Sequence, residues 1–476
     1  MIREAGSAAG MEKIATAPVA APATTLAALA SAAGPVPRYT SYPTAPHFRA
    51  VPDDEDWRGW LGTLPEGARF ALYVHVPYCR QMCWYCGCHT QVTKTGATLQ
   101  HFTELLTREI DLVAQYLPPG AQLGSLHFGG GTPGILGAEG LKRIADPLYR
   151  RFAPQRDAEI AIELDPRHVD AALVAGLAAI GVNRVSLGVQ SLDPQVQAAI
   201  NRPQPFALVA QAAGLLRDAG IDALNLDLLY GLPHQTVLNV VETVERCLAL
   251  TPDRLALFGY AHVPWMKAHQ ARIDAAALPD TLARLEQEAA AASQLVAAGF
   301  RRIGLDHFAR PSDPLAIRAA AGTLHRNFQG YTTEVGDVLL GFGPSAISTL
   351  PQGYAQNIPS VASWRQAVQA GRLPVARMRG LSADDRLRGA VIEQLMCNLR
   401  VDLAAAAAAG GRTPEVFTAA LDRLDLLHRH GLVAIDGWVV TVPEPGRPLL
   451  RQVCAAFDAY LGQPVVGVTL PRHAAA

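Results

Sequence analysis

The chain has little charge and almost no excess of either sign. Only 17% of its 476 residues are charged, and the formal net charge at pH 7 is −1. General binders of nucleic acid or of membrane surfaces need a basic face, so we expect neither kind of partner. Apolar stretches are too short for a bilayer span and no secretory signal is recognisable, which favours a cytoplasmic protein. Half of the residues are hydrophobic, which excludes a mostly disordered chain.

Cysteine is also scarce, and its distribution is uneven. Four of the seven cysteines fall within ten residues, at Cys79, Cys83, Cys86 and Cys88. Disulfide frameworks spread their cysteines along small secreted chains, so this pattern favours a metal or cluster site in a reducing compartment. The other three are predicted to be small core residues: Cys247, Cys397 and Cys454.

Composition divides the chain into four segments. Residues 1–35 contain 13 alanines without a hydrophobic period, which predicts a flexible tail. We expect residues 36–63 to form an ordered arm over the active site and residues 64–298 to form the core of the protein. Residues 299–476 are expected to form a C-terminal region that contains the segment HRNFQGYTT and a helical, winged-helix-like domain.

Six short β-rich runs alternate with amphipathic helical stretches in the core segment. The runs are ALYVHV (71–76), GSLHF (124–128), AEIAIEL (158–164), RVSLGV (184–189), LNLDLL (224–229) and RLALFGY (254–260). This order predicts parallel βα units, in either a Rossmann-type sheet or a barrel of the TIM type. Nearly every run ends in polar or glycine-rich residues, and a barrel gathers such ends on one face. We therefore predict an α/β fold: a partial TIM-type (β/α)6 open barrel with a mixed, mainly helical C-terminal domain.

The C-terminal region predicts a helix, a hairpin and a second helix, which is the pattern of a winged helix. The helices are expected at 414–429 and 447–461, with Asp436–Gly437 as the hairpin turn. A further strand is expected at 301–308. Residues 366–476 hold 12 Arg and no Lys against 10 acidic residues, so we favour a packing or lid domain over DNA binding.

The spacing Cys79-x3-Cys83-x2-Cys86 is the most specific signal in the chain. A structural zinc site usually takes two separated pairs of ligands that close a tetrahedron. Three thiols on one loop instead favour a [4Fe–4S] cluster whose fourth iron lacks a protein ligand. An iron of that kind can bind a small chelating molecule. A zinc site with Cys88 as fourth ligand remains the alternative.

A CxxxCxxC motif after the first barrel strand resembles the radical S-adenosylmethionine (SAM) superfamily, and GGGTP (129–133) after the second strand supports the resemblance. Between about 36 and 465 the chain resembles one family in particular, the oxygen-independent coproporphyrinogen III oxidases. Related haem chaperones resemble the barrel but typically lack Cys88 and HRNFQGYTT (325–333). The matching segments are PRYTSYPTA, YVHVPYCRQMCWYCGC, NLDLLYGLP, FGYAHVP, DHFARP, LHRNFQGYTT and GFGPSAIS.

The resemblance implies a set of site residues. Cys79, Cys83 and Cys86 would hold the [4Fe–4S] cluster. The family binds two SAM molecules, and the cluster-bound one would contact Tyr73, Gly130, Glu163 and Ile347. The second SAM would lie near Tyr85, Cys88, Gly131, Thr132, Gln190, Arg202, Asp227 and Ala261. Cys88 and Tyr73 are the candidate catalytic residues.

The resemblance also implies a reaction: two propionates of coproporphyrinogen III become vinyl groups, giving protoporphyrinogen IX. An electron donor such as flavodoxin or ferredoxin and a monomeric state are expected. Two alternatives stay open, a haem chaperone on the same fold and another radical SAM enzyme using two SAM molecules, such as a methyltransferase.

A substrate with four propionates needs cationic partners. The candidates from sequence are Arg38, Arg310, Arg326, His307 and His325, while Tyr39 and Tyr42 are candidates for stacking on pyrrole rings or shielding the radical. We expect residues 36–45 and 325–333 to close the site. Three histidines are expected to be scaffold residues: His75, His127 and His262.

Overall fold

A computed structural model describes residues 23–33, 36–334 and 338–463 of the chain. Its strands are β1 (Arg49–Ala50), β2 (Arg69–Val76), β3 (Tyr78–Cys79), β4 (Gln91–Val92), β5 (Gln122–Gly130), β6 (Ala153–Leu164), β7 (Arg184–Gln190), β8 (Ala223–Tyr230), β9 (Arg254–Gly259), β10 (Arg301–Ile303), β11 (His307–Ala309), β12 (His325–Asn327), β13 (Gly330–Thr332), β14 (Leu339–Phe342), β15 (Ile347–Leu350), β16 (Gly353–Asn357), β17 (Val375–Gly380), β18 (Arg400–Asp402), β19 (Ala434–Asp436) and β20 (Val439–Thr441).

The α-helices alternate with these strands through the first two thirds of the chain. They are α1 (Ala23–Ala33), α2 (Glu55–Gly62), α3 (Gly96–Ala114), α4 (Gly137–Arg151), α5 (Ala171–Ala179), α6 (Pro194–Ala199), α7 (Phe206–Asp218), α8 (Val237–Leu248), α9 (Thr281–Ala297), α10 (Pro314–Ala320), α11 (Val361–Gln369), α12 (Ala383–Asn398), α13 (Leu403–Ala409), α14 (Thr418–Arg429) and α15 (Leu450–Ala456). None of the described helices is long and apolar enough to cross a membrane.

Six parallel strands form the centre of one large sheet, in the order β2-β5-β6-β7-β8-β9. A seventh parallel strand, β14, pairs with the outer side of β2, and the antiparallel strands β15, β16, β17 and β1 extend the sheet beyond it. The opposite end is continued by β11 and β10. Among the described residues β9 and β14 do not pair, so the barrel is open. The predicted open barrel is confirmed, and all six predicted runs are strands within it.

The hairpin formed by β12 and β13 lies in the opening of the barrel. Tyr331 on β13 packs edge-to-face on His307 of β11, with 5.2 Å between ring centroids. Just after the hairpin, Glu334 forms an ion pair with Arg69 at the start of β2, with 3.3 Å between Oε2 and Nε. The hairpin therefore spans from one edge of the parallel sheet to the other and lines the barrel interior.

Buried apolar side chains form two main cores. The larger one fills the space between the barrel strands and the helices around them, because buried parallel strands carry apolar residues on both faces. The second joins α12, α14 and α15 of the C-terminal region to Tyr39 and Tyr42 of the N-terminal arm. The arm is thus packed on the C-terminal domain. Cys247, Cys397 and Cys454 are buried, as predicted.

Four local expectations were wrong. We expected a flexible tail over residues 1–35, but residues 23–33 form α1, which packs on α9. Residues 1–22 and 34–35 lie outside the described residues. The single strand expected at 301–308 is the hairpin of β10 and β11, because Gly304 turns the chain with φ of +53°. Asp436 pairs with Val439, so the second hairpin turns at Gly437 and Trp438. The last helix is shorter than expected, at Leu450–Ala456.

Candidate active site

The loop that carries the cysteine motif begins where β2 ends, at the C-terminal face of the barrel. Cys79 ends β3, and this short strand pairs with β4 on the far side of the loop. Elements of the barrel hold the loop at its middle: the Trp84 N–H donates to the carbonyl of Ile200 at 3.0 Å, and Asn201 Nδ2 donates to the carbonyl of Met82 at 2.9 Å. The position of the three thiols is therefore set by the fold around them.

Polar and cationic groups surround the thiols. Cys79 Sγ lies 3.3 Å from Thr90 Oγ1 and 3.4 Å from Thr132 Oγ1. Cys83 Sγ accepts from Arg202 Nη1 at 3.3 Å and from Arg167 Nη2 at 3.6 Å. Hydrogen-bond donors and positive charge favour the thiolate, which is the form that binds iron.

Cys86 and Cys88 influence each other's protonation. The neighbouring thiol and backbone of Cys88, together with the charges of His269 and Lys267, lower the pKa of Cys86 to about 6 in spite of its burial. The hydrogen bond with Cys86 raises the pKa of Cys88 above its usual value, although Cys88 itself is exposed. The assignment of Cys86 as a cluster ligand and of Cys88 as a residue outside the ligand set stays a prediction.

Three thiols on one loop match the ligand set of an iron–sulfur cluster that has one iron without a protein ligand. In a [4Fe–4S] cluster each thiolate binds a different iron, so the ligands do not have to converge on one point. Cys79, Cys83 and Cys86 would hold the cluster, and Arg167 and Arg202 would offset part of its negative charge.

The glycine-rich segment after β5 runs directly beside the cysteine loop. A Cβ atom on Gly131 would lie 2.5 Å from Thr90 Oγ1 and 2.6 Å from the carbonyl oxygen of Tyr78. Gly130 has φ of +112°, a conformation that favours glycine. Glycine is therefore required here, because the backbone of this segment lies against that of the cysteine loop. Thr132 continues the segment and places its hydroxyl on Cys79.

Tyr73, His127 and Glu163 meet on the inner surface of the barrel. Their strands, β2, β5 and β6, are neighbours in the sheet, and Tyr73 is in register with His127. The two rings stack with 5.9 Å between centroids, and His127 Nε2 lies 3.0 Å from Glu163 Oε1. Glu163 Oε2 also accepts the Gly130 N–H at 3.2 Å. Among the described residues Glu163 forms no salt bridge with an arginine, and its ionic partner is His127.

Two histidines at this site have shifted pKa values. Burial by itself lowers the pKa of His127, but the hydrogen bond and the charge of Glu163 outweigh burial, and the net shift is upward. Burial lowers the pKa of His75 to about 4, so this ring is neutral; it bonds Tyr73 and the carbonyl of His89. His262 Nδ1 lies 2.8 Å from the Tyr260 hydroxyl. All three histidines have hydrogen-bond partners, and their role as scaffold residues stays a prediction.

The predicted site residues on β7 and β8 are Gln190 and Asp227. Asp227 accepts from Ser186 Oγ at 2.7 Å and from Asn225 Nδ2 at 2.8 Å, and burial raises its pKa. Gln190 ends β7 with φ of +67°, which turns the chain toward the cysteine loop. Asp227 lines the cavity inside the barrel together with Glu163.

Arg202 is buried against the cysteine loop. Besides Cys83, its Nη1 contacts Asp165 Oδ2 at 3.3 Å, and its Nη2 donates to the carbonyl of Gly188 at 2.6 Å. Burial alone raises the pKa of Asp165, but the hydrogen bond of Arg167 and the charge of Arg202 hold it at about 2. The Nε of Arg202 has no hydrogen-bond partner within the described residues, so one edge of the guanidinium remains available.

The loop after β9 was only partly recognised from the sequence. Ala261 lies in it, as predicted, but three other residues hold the cysteine loop by its carbonyl oxygens. Lys267 Nζ donates to Cys88 at 2.9 Å, Gln270 Nε2 donates to Tyr85 at 2.9 Å, and His269 Nε2 lies 2.7 Å from the carbonyl of Cys86. Their only signal in the sequence was their position after the last barrel strand.

Ile347 and Tyr85 occupy the edges of the site. Ile347 begins β15, and the turn before it passes so close to β2 that a Cβ on Gly343 would lie 2.5 Å from the carbonyl oxygen of His75. Tyr85 is part of the cysteine loop and packs on the small cluster around Ile200 and Tyr260. Glu163 and Asp227 are the predicted cofactor residues that line the cavity inside the barrel, and the cofactor role of the full set stays a prediction.

Several substrate candidates are structural residues instead. Tyr39 and Tyr42 are each only 4% exposed. Tyr39 donates to Asp458 at 3.0 Å, and the hydroxyl of Tyr42 accepts the Ala459 N–H at 2.9 Å. Arg310 lies near the start of β9, where Nε donates to the carbonyl of Pro252 and the guanidinium covers Phe300. These three expectations were wrong, because the tertiary contacts of the C-terminal domain and of α9 absorb the side chains.

The open barrel with a CxxxCxxC loop at its C-terminal face defines a radical SAM protein. Residues 73–247 match the radical SAM superfamily, and residues 381–449 match the HemN C-terminal domain. The oxygen-independent coproporphyrinogen III oxidase of Bradyrhizobium diazoefficiens is 49% identical over 426 residues, which cover 90% of this chain and 95% of that protein. The chain belongs to the family of oxygen-independent coproporphyrinogen III oxidases, so the resemblance inferred from its motifs is confirmed.

Two further relatives agree with this assignment. The oxygen-independent coproporphyrinogen III oxidase of Paracoccus denitrificans is 42% identical over 425 residues, covering 89% of this chain and 94% of that protein. A solved structure of coproporphyrinogen III oxidase from Escherichia coli superposes with a TM-score of 0.84 at 37% identity. That match covers 89% of this chain and 97% of the other, so it includes the arm and the C-terminal domain as well as the barrel.

Proposed function

We propose that this chain is an anaerobic enzyme of haem biosynthesis that converts two propionate side chains of coproporphyrinogen III to vinyl groups, giving protoporphyrinogen IX. The observation that carries the proposal is the loop of Cys79, Cys83 and Cys86 beside the glycine-rich segment at the mouth of the barrel, in a chain of this family. When bound, the cluster and SAM supply a 5′-deoxyadenosyl radical.

Each propionate loses one hydrogen atom, one CO2 and one electron. The β-carbon loses one hydrogen atom, which ends on 5′-deoxyadenosine. The bond between the α-carbon and the carboxylate then breaks, CO2 leaves, and one electron passes to an acceptor, so that a vinyl group remains. Each cycle starts with the delivery of one electron to the protein. We propose a small acidic electron carrier of the flavodoxin or ferredoxin type as the donor.

The protein's contribution is positioning and exclusion of water. Glu163 has one oxygen on His127 and one on the Gly130 N–H, so its orientation is set before a ligand binds. Tyr73 lies beside it. These groups suit hydrogen bonding to the cluster-bound SAM, and preorganised groups cost less to order on binding.

We propose that a second SAM lies on the opposite rim, near Cys88, Gln190, Asp227 and Ala261. Tyr85, Gly131, Thr132 and Arg202 complete the set that the family resemblance implies, and the support for it is that Asp227 lines the cavity inside the barrel and that the buried Nε of Arg202 has no hydrogen-bond partner within the described residues. Equilibrium binding to reconstituted holoenzyme should give two SAM molecules per chain, and a stoichiometry of one would contradict this part. A monomeric, cytoplasmic enzyme is part of the same proposal.

One anaerobic assay tests the function. Reconstituted protein, reductant, SAM and coproporphyrinogen III are combined, and 5′-deoxyadenosine, CO2 and porphyrin products are measured together. We expect two CO2 per protoporphyrinogen IX formed, and no product from Cys79→Ser, which loses a cluster ligand. Methylated product or S-adenosylhomocysteine would instead indicate a methyltransferase. Stoichiometric haem binding without decarboxylation would indicate a chaperone.

A further inference from the structure

Two separate parts of the barrel hold the cysteine loop, one on each half. The connection between α6 and α7 holds the first half through Met82 and Trp84. The second half, residues 85–88, is held by the loop after β9, residues 260–280, through the carbonyl oxygens of three of its four residues. The part of the cysteine loop that carries Cys86 therefore takes its position from a loop that is far away in the sequence.

The donors of the β9 loop differ in burial. Gln270 is only 1% exposed, and its Nε2 donates to Tyr85 at 2.9 Å. His269 is half-buried and lies 2.7 Å from the carbonyl of Cys86, so Nε2 carries the proton, because a carbonyl oxygen only accepts. The bond from Lys267 to Cys88 lies at the surface, where such contacts contribute little to stability. Gln270 is therefore the strongest of the three links.

Gln270 also closes the loop to which it belongs. Its Oε1 accepts the Val263 N–H at 2.6 Å, and the N–H groups of Met266 and Lys267 both donate to the Val263 carbonyl at 2.9 Å. One amide thus shapes the β9 loop with its oxygen and holds the cysteine loop with its nitrogen. Only a primary amide offers an acceptor and a donor on one planar group, so a hydrophobic side chain of similar size cannot replace it.

We propose that Gln270, assisted by His269 and Lys267, is a positioning residue that holds residues 85–88 in the cluster-binding conformation before the cluster binds. The inference rests on the cluster site of the proposed function and is independent of its substrate. A loop that is already ordered loses less conformational entropy when it binds a ligand. Groups that orient the ligands of a metal site commonly affect its affinity as strongly as this.

The test compares Gln270→Met with a matched variant, Gln287→Met. Gln287 of α9 is also 1% exposed, donates to the carbonyl of Gln235 at 2.7 Å and accepts the Gly231 N–H at 2.8 Å. The two substitutions remove the same pair of hydrogen bonds from the interior, but only the first pair includes the cysteine loop.

Amide hydrogen exchange is measured by mass spectrometry on the full chain without cluster, under anaerobic conditions. Peptides that contain Trp84 and Cys86 report on the loop, since their N–H groups donate to the carbonyls of Ile200 and Cys83. In Gln270→Met these amides should exchange about tenfold faster, as expected for the loss of a buried hydrogen bond. Reconstitution should then give less iron per chain. Gln287→Met should match wild type in both measurements.

The reduction potential of the reconstituted cluster gives a readout that a purely structural role would not move. The Lys267 ammonium lies beside residues 86–88, and a nearby positive charge favours the more negative, reduced cluster. Lys267→Met should therefore shift the potential to more negative values, whereas Lys267→Arg should keep it close to wild type. Lys142→Met, which removes an exposed lysine from α4, should leave it unchanged.

Equal exchange of the loop amides in Gln270→Met and Gln287→Met would overturn the inference. Faster exchange throughout the barrel strands in Gln270→Met would overturn it too, because the effect would then be a general loss of stability. An unchanged potential in Lys267→Met would refute the part assigned to Lys267. Failure of the proposed function gives a different result: wild type would bind its cluster and produce no CO2, while the two glutamine variants still differed in loop exchange.

Discussion

At the scale of single residues, the cysteine motif is recognised by its spacing, but the chemistry of its thiols depends on the side chains that contact them. Thr90, Thr132, Arg167 and Arg202 reach the sulfurs from distant parts of the chain. Spacing alone does not separate Cys86 from Cys88. Their surroundings differ: the hydrogen bond of Cys88 and the charges of His269 and Lys267 lower the pKa of Cys86, whereas the hydrogen bond with Cys86 and the charge of Glu163 raise that of Cys88.

This difference predicts distinct effects for two neighbouring substitutions. Cys86→Ser should lose the cluster, since it removes a thiolate ligand. Cys88→Ser should keep normal iron content and the normal cluster spectrum while product formation falls at least tenfold, an expectation of about 1.4 kcal/mol in transition-state stabilisation. Iron analysis, absorption spectra and turnover are measured on both variants. Loss of iron in Cys88→Ser would mean that Cys88 is a ligand and would refute the three-thiolate site.

At the scale of elements, the hairpin of β12 and β13 is the part that completes the open barrel. Its hold depends on Tyr331, whose hydroxyl accepts the Leu305 N–H at 2.9 Å and donates to the carbonyl of Met396 at 3.0 Å. The ring lies directly over Gly304, where a Cβ atom would overlap the phenol. Arg447 also donates to the carbonyl of Gly304, so the turn before β11, the hairpin and the C-terminal domain meet at one point.

Tyr331→Phe should therefore loosen the hairpin. Two buried backbone groups lose their partner, and each unsatisfied group costs about 1–3 kcal/mol. We expect a lower free energy of unfolding together with a higher KM for coproporphyrinogen III, because Arg326 covers the same ring. Tyr149→Phe is the matched control: it removes the 2.6 Å bond to the carbonyl of Ile180 on the outside of the barrel. Tyr149→Phe should lower the free energy of unfolding and leave KM unchanged. Equal KM values for Tyr331→Phe and Tyr149→Phe would contradict the role of the hairpin.

At the scale of the whole molecule, a buried carboxylate joins the barrel to its antiparallel extension. Glu109 of α3 accepts from the Gly343 N–H and from Trp364 Nε1, both at 2.9 Å, and from Asn357 Nδ2 at 2.6 Å. Burial raises its pKa to about 7, although these three hydrogen bonds oppose the shift. The ordinary carboxyl pKa of 4.5 in the unfolded chain is much lower.

The raised pKa makes stability depend on pH in a known direction. Between about pH 4.5 and 7 the folded protein binds more protons at Glu109 than the unfolded chain does, so stability falls as pH rises through that window. The difference in free energy of unfolding between wild type and Glu109→Gln should grow by about 1 kcal/mol from pH 8 to pH 6. Denaturant titrations of anaerobic protein at both pH values measure it.

Asp111→Asn is the control for this dependence, because Asp111 lies on the same helix in an exposed pair with Arg151. Its difference from wild type should stay constant between pH 6 and pH 8. A constant difference for Glu109→Gln as well would show that the carboxylate is ionised throughout and that burial does not raise its pKa.

The sequence by itself determined the βα order, the open barrel, the cysteine loop and the family. Strand periodicity, the CxxxCxxC spacing and the glycine segment are local patterns, and local patterns can be recognised without knowing the tertiary structure. Which charged and aromatic side chains are accessible to a ligand depends on tertiary contacts. Tyr39, Tyr42 and Arg310 looked available for a ligand but are packed, whereas Lys267, His269 and Gln270 looked ordinary but hold the cysteine loop. Such contacts join residues hundreds of positions apart, and no periodicity or spacing records them.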